Sequence, residues 1–262
     1  GFYGLVLILV FILLIRPLYV ILIKQTFNIQ TSLDEGSNLR LLKQSARRIL
    51  NYEFVSDEDK SKIKETLHDG KALIPVLSNV YQGPIKKEMA KRMRHHAKTV
   101  MVSTAISQNG RLDFITIMHV NLRMIKELVE LSGFRPSYQQ LAKLSVNVIT
   151  TALVAEGLEN LDISEVLPQS TMNSLSEIPL IKPFISSVTQ GISNALLTLR
   201  IGIVTREYLF TTSKELTQNA IRKTALLEAA ALTPQVVAEG LAIFPSKIFN
   251  MFKPKKTKNE TA

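Results

Sequence analysis

QGISNALLTLRIGI, residues 190–203, is the stretch that decides how this chain folds. It is apolar enough to suggest a membrane span, but at 100° per residue its side chains separate into distinct faces. One face carries only small residues, which allow a second helix backbone to approach closely. We therefore predict a helix over 184–212 that closes a helical bundle or joins two copies of the chain, through a stripe of small residues: Ser187, Gly191, Ala195, Thr198, Gly202 and Thr205.

The same helix has a second, aliphatic face and a third face that carries Arg200 with Thr189, Ser193 and Glu207. Arg200 lies on neither packing face. We expect it to form a half-buried salt bridge or to reach the surface. This pattern is typical of a packing element, and we do not expect an active site here.

The composition of the chain predicts an all-α protein. Its 262 residues include only 11 Gly and 10 Pro, which are too few turn-forming residues for a β protein with many turns. There is no Trp, and 6% of the residues are aromatic. There is no cysteine, so disulfides, thiolate metal sites and thiol nucleophiles are excluded. A net charge of +10 suits a partner that is nucleic acid or anionic lipid.

The strongest local signal is the apolar run FYGLVLILVFILLIRPLYVILI at residues 2–23, whose single charge is Arg16. About 20 apolar residues suffice to cross a bilayer. A cleaved signal peptide is the alternative, although its apolar region is usually shorter and no A-x-A-like site follows. We therefore predict a transmembrane anchor over 1–24, and the start at Gly1 rather than methionine leads us to expect more of the protein upstream.

The residues after the anchor are predicted to be cytoplasmic. Residues 24–98 hold 15 Lys and Arg against 9 Asp and Glu, and positive residues favour the cytoplasmic side. We expect four further regions: a basic helical region at 25–96, a helical domain at 97–213, C-terminal helices at 214–252 and a disordered basic tail at 253–262. Breakers and caps divide them into helices at 38–54, 56–69, 97–108, 111–132, 138–158, 184–212, 214–231 and 233–252.

Some polar residues fall where burial is expected. Asn121 lies within the apolar face of the 111–132 helix, and a buried Asn needs hydrogen-bond partners. Such a residue either fixes the register of a core helix or takes a ligand or gating role. The candidates for buried polar residues are Asp113, Asn121, Arg123 and Arg200.

Catalytic and metal-binding patterns do not emerge from the sequence. It has no GxxxxGK[ST], HExxH or GxSxG motif. His95 and His96 are adjacent, so they point in different directions on a helix, and Glu88 and Glu127 are distant in sequence. We expect no catalytic residue, metal or cofactor, and we interpret the protein as a non-enzyme.

The basic residues favour lipid over nucleic acid. Residues 86–98 are densely basic, but they lack the interleaved aromatic residues that stack on bases. The apolar residues near 244–252 beside lysines are typical of an interfacial helix, or equally of a core helix with a basic tail. The residues expected to face an anionic leaflet are Lys86, Lys87, Lys91, Arg92, Arg94, Lys253, Lys255 and Lys256.

Three segments carry a family resemblance: VSTAIS at 102–107 followed by Asp113, NLRMIKELVELSGFRPSY at 121–138, and QGISNALLTLRIGIVTREYL at 190–209. Over about residues 97–210 the chain resembles the YcjF-like family of bacterial membrane proteins of unknown function. The resemblance implies a helical, membrane-associated module at the bacterial inner membrane. Some members are fused to, or encoded beside, a Ras-like GTPase, which implies a GTPase partner but supplies no catalytic residues.

These features favour a membrane-anchored helical scaffold or interaction protein, for which we expect a GTPase partner and the ability to form homo-oligomers. The alternative is a pore-forming or membrane-remodelling protein in which the 140–158 and 184–206 helices insert as a hairpin.

Overall fold

A computed structural model describes residues 39–107, 110–153, 185–210 and 218–251, without the side chains of 110–113, 218 and 244–251. Every regular element in these ranges is helical, so the all-α prediction is confirmed for them. A π-helical turn at Tyr81–Ile85 joins α3 to α4, and the α-helices are α1 Leu39–Ile49, α2 Asp57–Thr66, α3 Gly70–Val80, α4 Lys86–Ile106, α5 Gly110–Leu131, α6 Tyr138–Leu153, α7 Ile185–Phe210 and α8 Gln218–Met251. The predicted anchor at 1–24 and tail at 253–262 lie outside these ranges.

The start of α2 shows the predicted capping. The Ser56 hydroxyl accepts from the Asp59 amide at 3.1 Å and donates to the Asp59 carboxylate at 2.8 Å. The Asp69-Gly70 pair, expected only to end this helix, also begins the next one. Asp69 accepts from the Lys71 amide at 2.9 Å, because its short carboxylate reaches the free amides of the first turn of α3.

The predicted helix start at residue 97 is wrong. The basic stretch that begins at Lys86 and the following apolar stretch form one helix, α4, which is 21 residues long. The π-helical turn before it contains Pro84, which has no N–H to donate, and the wider turn accommodates this loss without ending the helical path.

Helix α7 is the centre of the bundle. It packs most extensively against α4 and also contacts α8, α6 and α5, whereas α4 contacts both α5 and α8. Of the 26 residues of α7, fourteen are buried. This central position explains why the helix is apolar on more than one face, since each face meets a different neighbour.

The prediction of two C-terminal helices, 214–231 and 233–252, is wrong. The described part forms a single 34-residue helix, α8, that continues through Thr233-Pro234. Thr233 is buried, and its hydroxyl donates to the Ala229 carbonyl at 2.8 Å within the helix. Ala229 before the proline and Val236 after it are both buried in the same core, so packing on both sides outweighs the helix-breaking preference of proline.

Candidate functional site

The small-residue stripe of α7 faces α4. A Cβ atom at Gly191 would lie 2.5 Å from the carbonyl oxygen of Met101, and one at Gly202 would lie 2.5 Å from Cγ of Met93. The two helices therefore touch almost backbone to backbone, and the stripe closes the bundle within one chain. Ser187, at the start of the stripe, is half-buried, and the other members are buried: Gly191, Ala195, Thr198, Gly202 and Thr205.

A buried arginine that the sequence reasoning missed joins α7 to α8. Both terminal nitrogens of Arg206 donate to the carboxylate of Glu228, each at 2.7 Å, and Nη2 also donates to Glu207 at 2.7 Å. Burial would lower the pKa of Arg206, but the two carboxylates raise it above its usual range. Arg206 lies within the TREYL stretch of the family motif, but its partner Glu228 lies 22 residues further along the chain, and no sequence spacing indicates the pairing.

Arg200, in contrast, is buried and has no salt bridge to a described residue, so neither predicted alternative, a half-buried salt bridge or a surface position, is observed there. It is 9% exposed, and its Nε and Nη2 atoms have no hydrogen-bond partner among the described residues. Burial lowers its pKa from the ordinary value. Asn121 is 2% exposed, as predicted, and its side-chain oxygen likewise has no partner in the described part of the chain.

The expectation that Arg123 is buried is wrong. Its side chain is 68% exposed and bonds to Glu127, one turn away on the outer surface of α5, at 3.0 Å. Glu127 also bonds to Nε2 of His96 in α4 at 2.8 Å, although the two are distant in sequence. Burial would raise the pKa of Glu127, but His96 and Arg123 together lower it below its ordinary value.

These residues do not form a metal site within the described ranges. Among the described residues, no three His, Cys, Asp or Glu side chains are grouped so that they could hold a metal ion. The side chain of Asp113, another predicted buried polar residue, lies outside the described part.

The C-terminal end of α5 is held by side chains from far earlier in the chain. The hydroxyls of Ser45 and Tyr81 both donate to the Ser132 carbonyl, at 2.8 and 3.0 Å, and Nη1 of Arg48 donates to the Gly133 carbonyl at 2.8 Å. Gly133 has a φ of +81°, and a Cβ there would collide with Ser45. The carbonyls that a helix end leaves free are thus satisfied by other elements.

Beside this junction lies an open groove of about 560 Å³ between α1, α5 and α6. It contains three cationic side chains against one carboxylate, that of Glu130. Most of its lining belongs to the motif at 121–138, and the rest comes from α1, its C-terminal turn and Leu141 of α6: Arg48, Asn51, Tyr52, Lys126, Glu130, Phe134, Arg135, Pro136, Tyr138 and Leu141. The sequence singled out the motif but did not indicate a groove.

The basic stretch of α4 faces outward. Lys86, Lys87, Lys91 and Arg92 are exposed and Arg94 is half-exposed. Glu88 bonds to Arg92 at 2.9 Å and lies 3.6 Å from Lys91, so it neutralises part of this charge. The lysines predicted to act with them, Lys253, Lys255 and Lys256, lie outside the described residues.

An all-helical bundle with an outward basic face is one class of membrane-associated domain, and the comparisons with known proteins specify the family. The chain belongs to the family described as a domain of unknown function (DUF697), whose model matches residues 68–241. The YcjF-like resemblance is thereby confirmed. The match begins in the loop before α3 and ends within α8, so it includes residues after 214 that the resemblance did not cover.

The relatives are named as membrane proteins. The UPF0283 membrane protein of Rhizobium meliloti is 28% identical over 137 residues, covering 52% of this chain and 36% of the relative. Those of Bradyrhizobium diazoefficiens and Brucella anthropi are 25% and 26% identical over 141 and 156 residues, covering 53% and 58% of this chain and 38% and 41% of the relatives. The chain thus spans about two fifths of their length. No solved structure matches it.

Within the described residues, one helical segment is long and apolar enough to cross a membrane by length and composition, namely Asn219–Ile243 in α8, with a mean hydropathy of 1.3. In its most apolar window, 28% of the residues are buried in the bundle. Neither α6 nor α7, the two helices of the inserting-hairpin alternative, meets this criterion.

Proposed function

We propose that this chain is a membrane-associated helical scaffold whose bundle lies against an anionic bilayer surface and presents contacts to other proteins. The observation that carries the proposal is the row of Lys87, Lys91 and Arg94, spaced by four and three residues along the outer side of α4. Each cation near an anionic surface contributes about 1 kcal/mol of attraction. The membrane-protein names of the relatives support this role, which requires no catalytic residue.

The experiment compares lysine acetylation in the full chain reconstituted in anionic and in neutral nanodiscs. Lys87 and Lys91 should react several-fold more slowly in anionic nanodiscs, and the difference should disappear in high salt because the attraction is screened. Lys64, exposed on α2, is the internal control and should react equally in both. Equal protection of Lys64 and Lys87, or no protection of either, would contradict the proposal.

We further propose a Ras-like GTPase as the partner class, at the cytoplasmic face of the bacterial inner membrane, on the ground of the YcjF-like resemblance alone. Candidate GTPases are those encoded beside or fused to close relatives of this chain. Co-purification of such a GTPase should depend on its bound nucleotide, and identical recovery in the GDP and GTP states would argue against a regulated complex. Native mass spectrometry of the same preparation measures whether the chain forms homo-oligomers.

The pore-forming alternative has weaker support. Its proposed hairpin contains α7, which is the most enclosed helix of the bundle and holds Arg206 in ion pairs with Glu207 and Glu228. Insertion would require the packing of α7 against α4 and its ion pair with α8 to be broken.

A further inference from the structure

We propose that the groove between α1, α5 and α6 binds a phosphate monoester group. The groove is separate from the basic row of α4, so this inference goes beyond the scaffold role and does not depend on it. Its recognition elements are the guanidinium groups of Arg48 and Arg135, which line the groove together with Tyr52.

The charge in the groove is largely uncompensated. Lys126 Nζ lies 3.8 Å from the carboxylate of Glu130, so these two charges offset one another. Neither Arg48 nor Arg135 has an ion pair with a carboxylate of the described residues. The groove therefore holds two guanidinium groups available to an anion.

The two guanidinium groups line the same groove, together with Tyr52. Burial raises the pKa of the Tyr52 hydroxyl, the charges of Arg48 and Arg135 each lower it, and Glu130 raises it. Two planar guanidinium forks in one groove suit a tetrahedral oxyanion, which each of them can bind through paired N–H groups.

The site is also held in place before any ligand arrives. The bond from Arg48 Nη1 to the Gly133 carbonyl, at 2.8 Å, fixes the arginine but leaves its other nitrogens free to donate. The Tyr52 hydroxyl donates to the Glu130 carbonyl at 2.7 Å. Because these side chains are already ordered, binding an anion costs little additional conformational entropy.

The N-terminus of helix α6 adds an electrostatic field that favours an anion in the groove. Its first residue, Tyr138, lines the groove, and the helix begins with a reciprocal cap: the Ser137 amide donates to the Gln140 side chain at 2.9 Å, and the Gln140 amide donates to the Ser137 hydroxyl at 3.4 Å. The positive end of the helix dipole is thus directed to the end of the groove where Arg135 lies.

A monoester matches this site better than a diester. Near neutral pH it carries a charge between about −1.5 and −2 and three terminal oxygens, which two guanidinium groups can satisfy together. The volume of about 560 Å³ accommodates a phosphorylated headgroup or a small phosphorylated solute.

The test is calorimetric titration of the purified full chain in a neutral detergent with three probes: glycerol 3-phosphate, dioctanoyl phosphatidic acid and dioctanoyl phosphatidylglycerol. The first two are monoesters and the third is a diester. We expect a monoester to bind at least tenfold more tightly than the diester, and Arg135→Gln to weaken it about tenfold, corresponding to one lost charge-assisted pair of hydrogen bonds. Arg47→Gln is the matched control, because it removes an exposed arginine of α1 outside the groove and should change affinity less than twofold.

The probes also identify the source of the group. Binding of phosphatidic acid alone indicates a lipid headgroup, binding of glycerol 3-phosphate alone indicates a soluble ester, and binding of both indicates recognition of the phosphate itself; each supports the proposal. Affinity for a monoester should rise between about pH 5 and pH 7 as the phosphate loses its second proton. Absence of monoester binding, equal affinity for the diester, or equal losses in Arg47→Gln and Arg135→Gln would overturn it.

Discussion

The guanidinium of Arg206 and the carboxylate of Glu228 form a two-pronged ion pair, with both nitrogen–oxygen distances at 2.7 Å. The arginine side chain is 6% exposed and the glutamate side chain 36%, so the pair is shielded on the α7 side and partly open on the α8 side. Because it connects α7 to α8, it fixes the rotation of α8 against the centre of the bundle.

Arg206→Met should lower the free energy of unfolding by about 3 kcal/mol, because it leaves Glu207 and Glu228 without their shared cation. We place the effect at the lower end of the range for buried pairs, since Glu228 retains some contact with water. Chemical denaturation of the full chain in detergent measures it. Arg123→Gln, which removes an exposed pair on α5, should cost less than about 1 kcal/mol. Similar losses in the two variants would show that Arg206 does not hold the bundle.

The two glycines of the α7 stripe should differ when each is changed to alanine. The Gly191→Ala methyl would meet the Met101 backbone oxygen, which cannot move alone, so we expect a net loss of about 2 kcal/mol. The Gly202→Ala methyl would meet the flexible side chain of Met93, and the helix propensity gained, about 1 kcal/mol, should offset most of the strain.

Gly83→Ala is the control for this pair, because nothing lies within 4 Å of a Cβ at that position. It should leave the thermal midpoint unchanged or slightly higher. If Gly191→Ala behaves like Gly83→Ala, close approach of α7 to α4 is not what requires glycine at position 191.

Arg200→Met should leave stability unchanged or raise it by about 1 kcal/mol. Replacing a buried charge that has no ion pair with a described residue by an apolar side chain of similar length removes a desolvation cost. The measurement is the same denaturation used for Arg206→Met, and the opposite signs of the two variants form the comparison. A loss of several kcal/mol would instead reveal an anionic partner for Arg200 outside the described residues.

Glu127 should contribute to stability in a pH-dependent way. Its pKa in the folded chain lies below the ordinary value of 4.5, so the folded state binds fewer protons than the unfolded state. The contribution is therefore present above about pH 4.5 and is lost as the pH falls through the lower folded value. Glu127→Gln should cost about 1 kcal/mol at pH 6, and this cost should shrink as the pH is lowered below 4.5. Glu65→Gln, an exposed glutamate of α2, should show no such change, and a pH-independent cost for Glu127→Gln would contradict the assignment.

The helix boundaries that the sequence predicted best are those set by a strong local breaker. The C-terminal end of α5 and the start of α6 agree within one residue, because Ser132-Gly133 and Pro136 act locally. The start of α4 and the continuity of α8 were missed because packing decides them. Pro84 and Pro234 tend to end a helix, as any proline does. Only the packing of the neighbouring helices shows that this tendency is overridden at both positions.

The side-chain contacts between helices could not be predicted from the sequence, for a related reason. The sequence indicated the motif at 121–138, but the groove needs Arg48 and Tyr52, which lie 85 and 78 residues before their hydrogen-bond acceptors. Arg206 and Glu228, or His96 and Glu127, are equally unremarkable until the helices bring them together. A periodicity analysis assigns residues to a face of one helix and contains no information about which helix that face meets.

The long separation between α1 and the end of α5 also sets an order of events during protein synthesis. Ser45 and Arg48 cannot find the Ser132 and Gly133 carbonyls until about 85 further residues have been translated, on the order of 5 to 15 s at typical ribosome speeds. Through that interval the apolar side of α1 has no docking partner in α5. Over that interval α1 is exposed to misassembly, and completion of the glycine turn at 133 is the moment at which its hydrogen bonds to the end of α5 become possible.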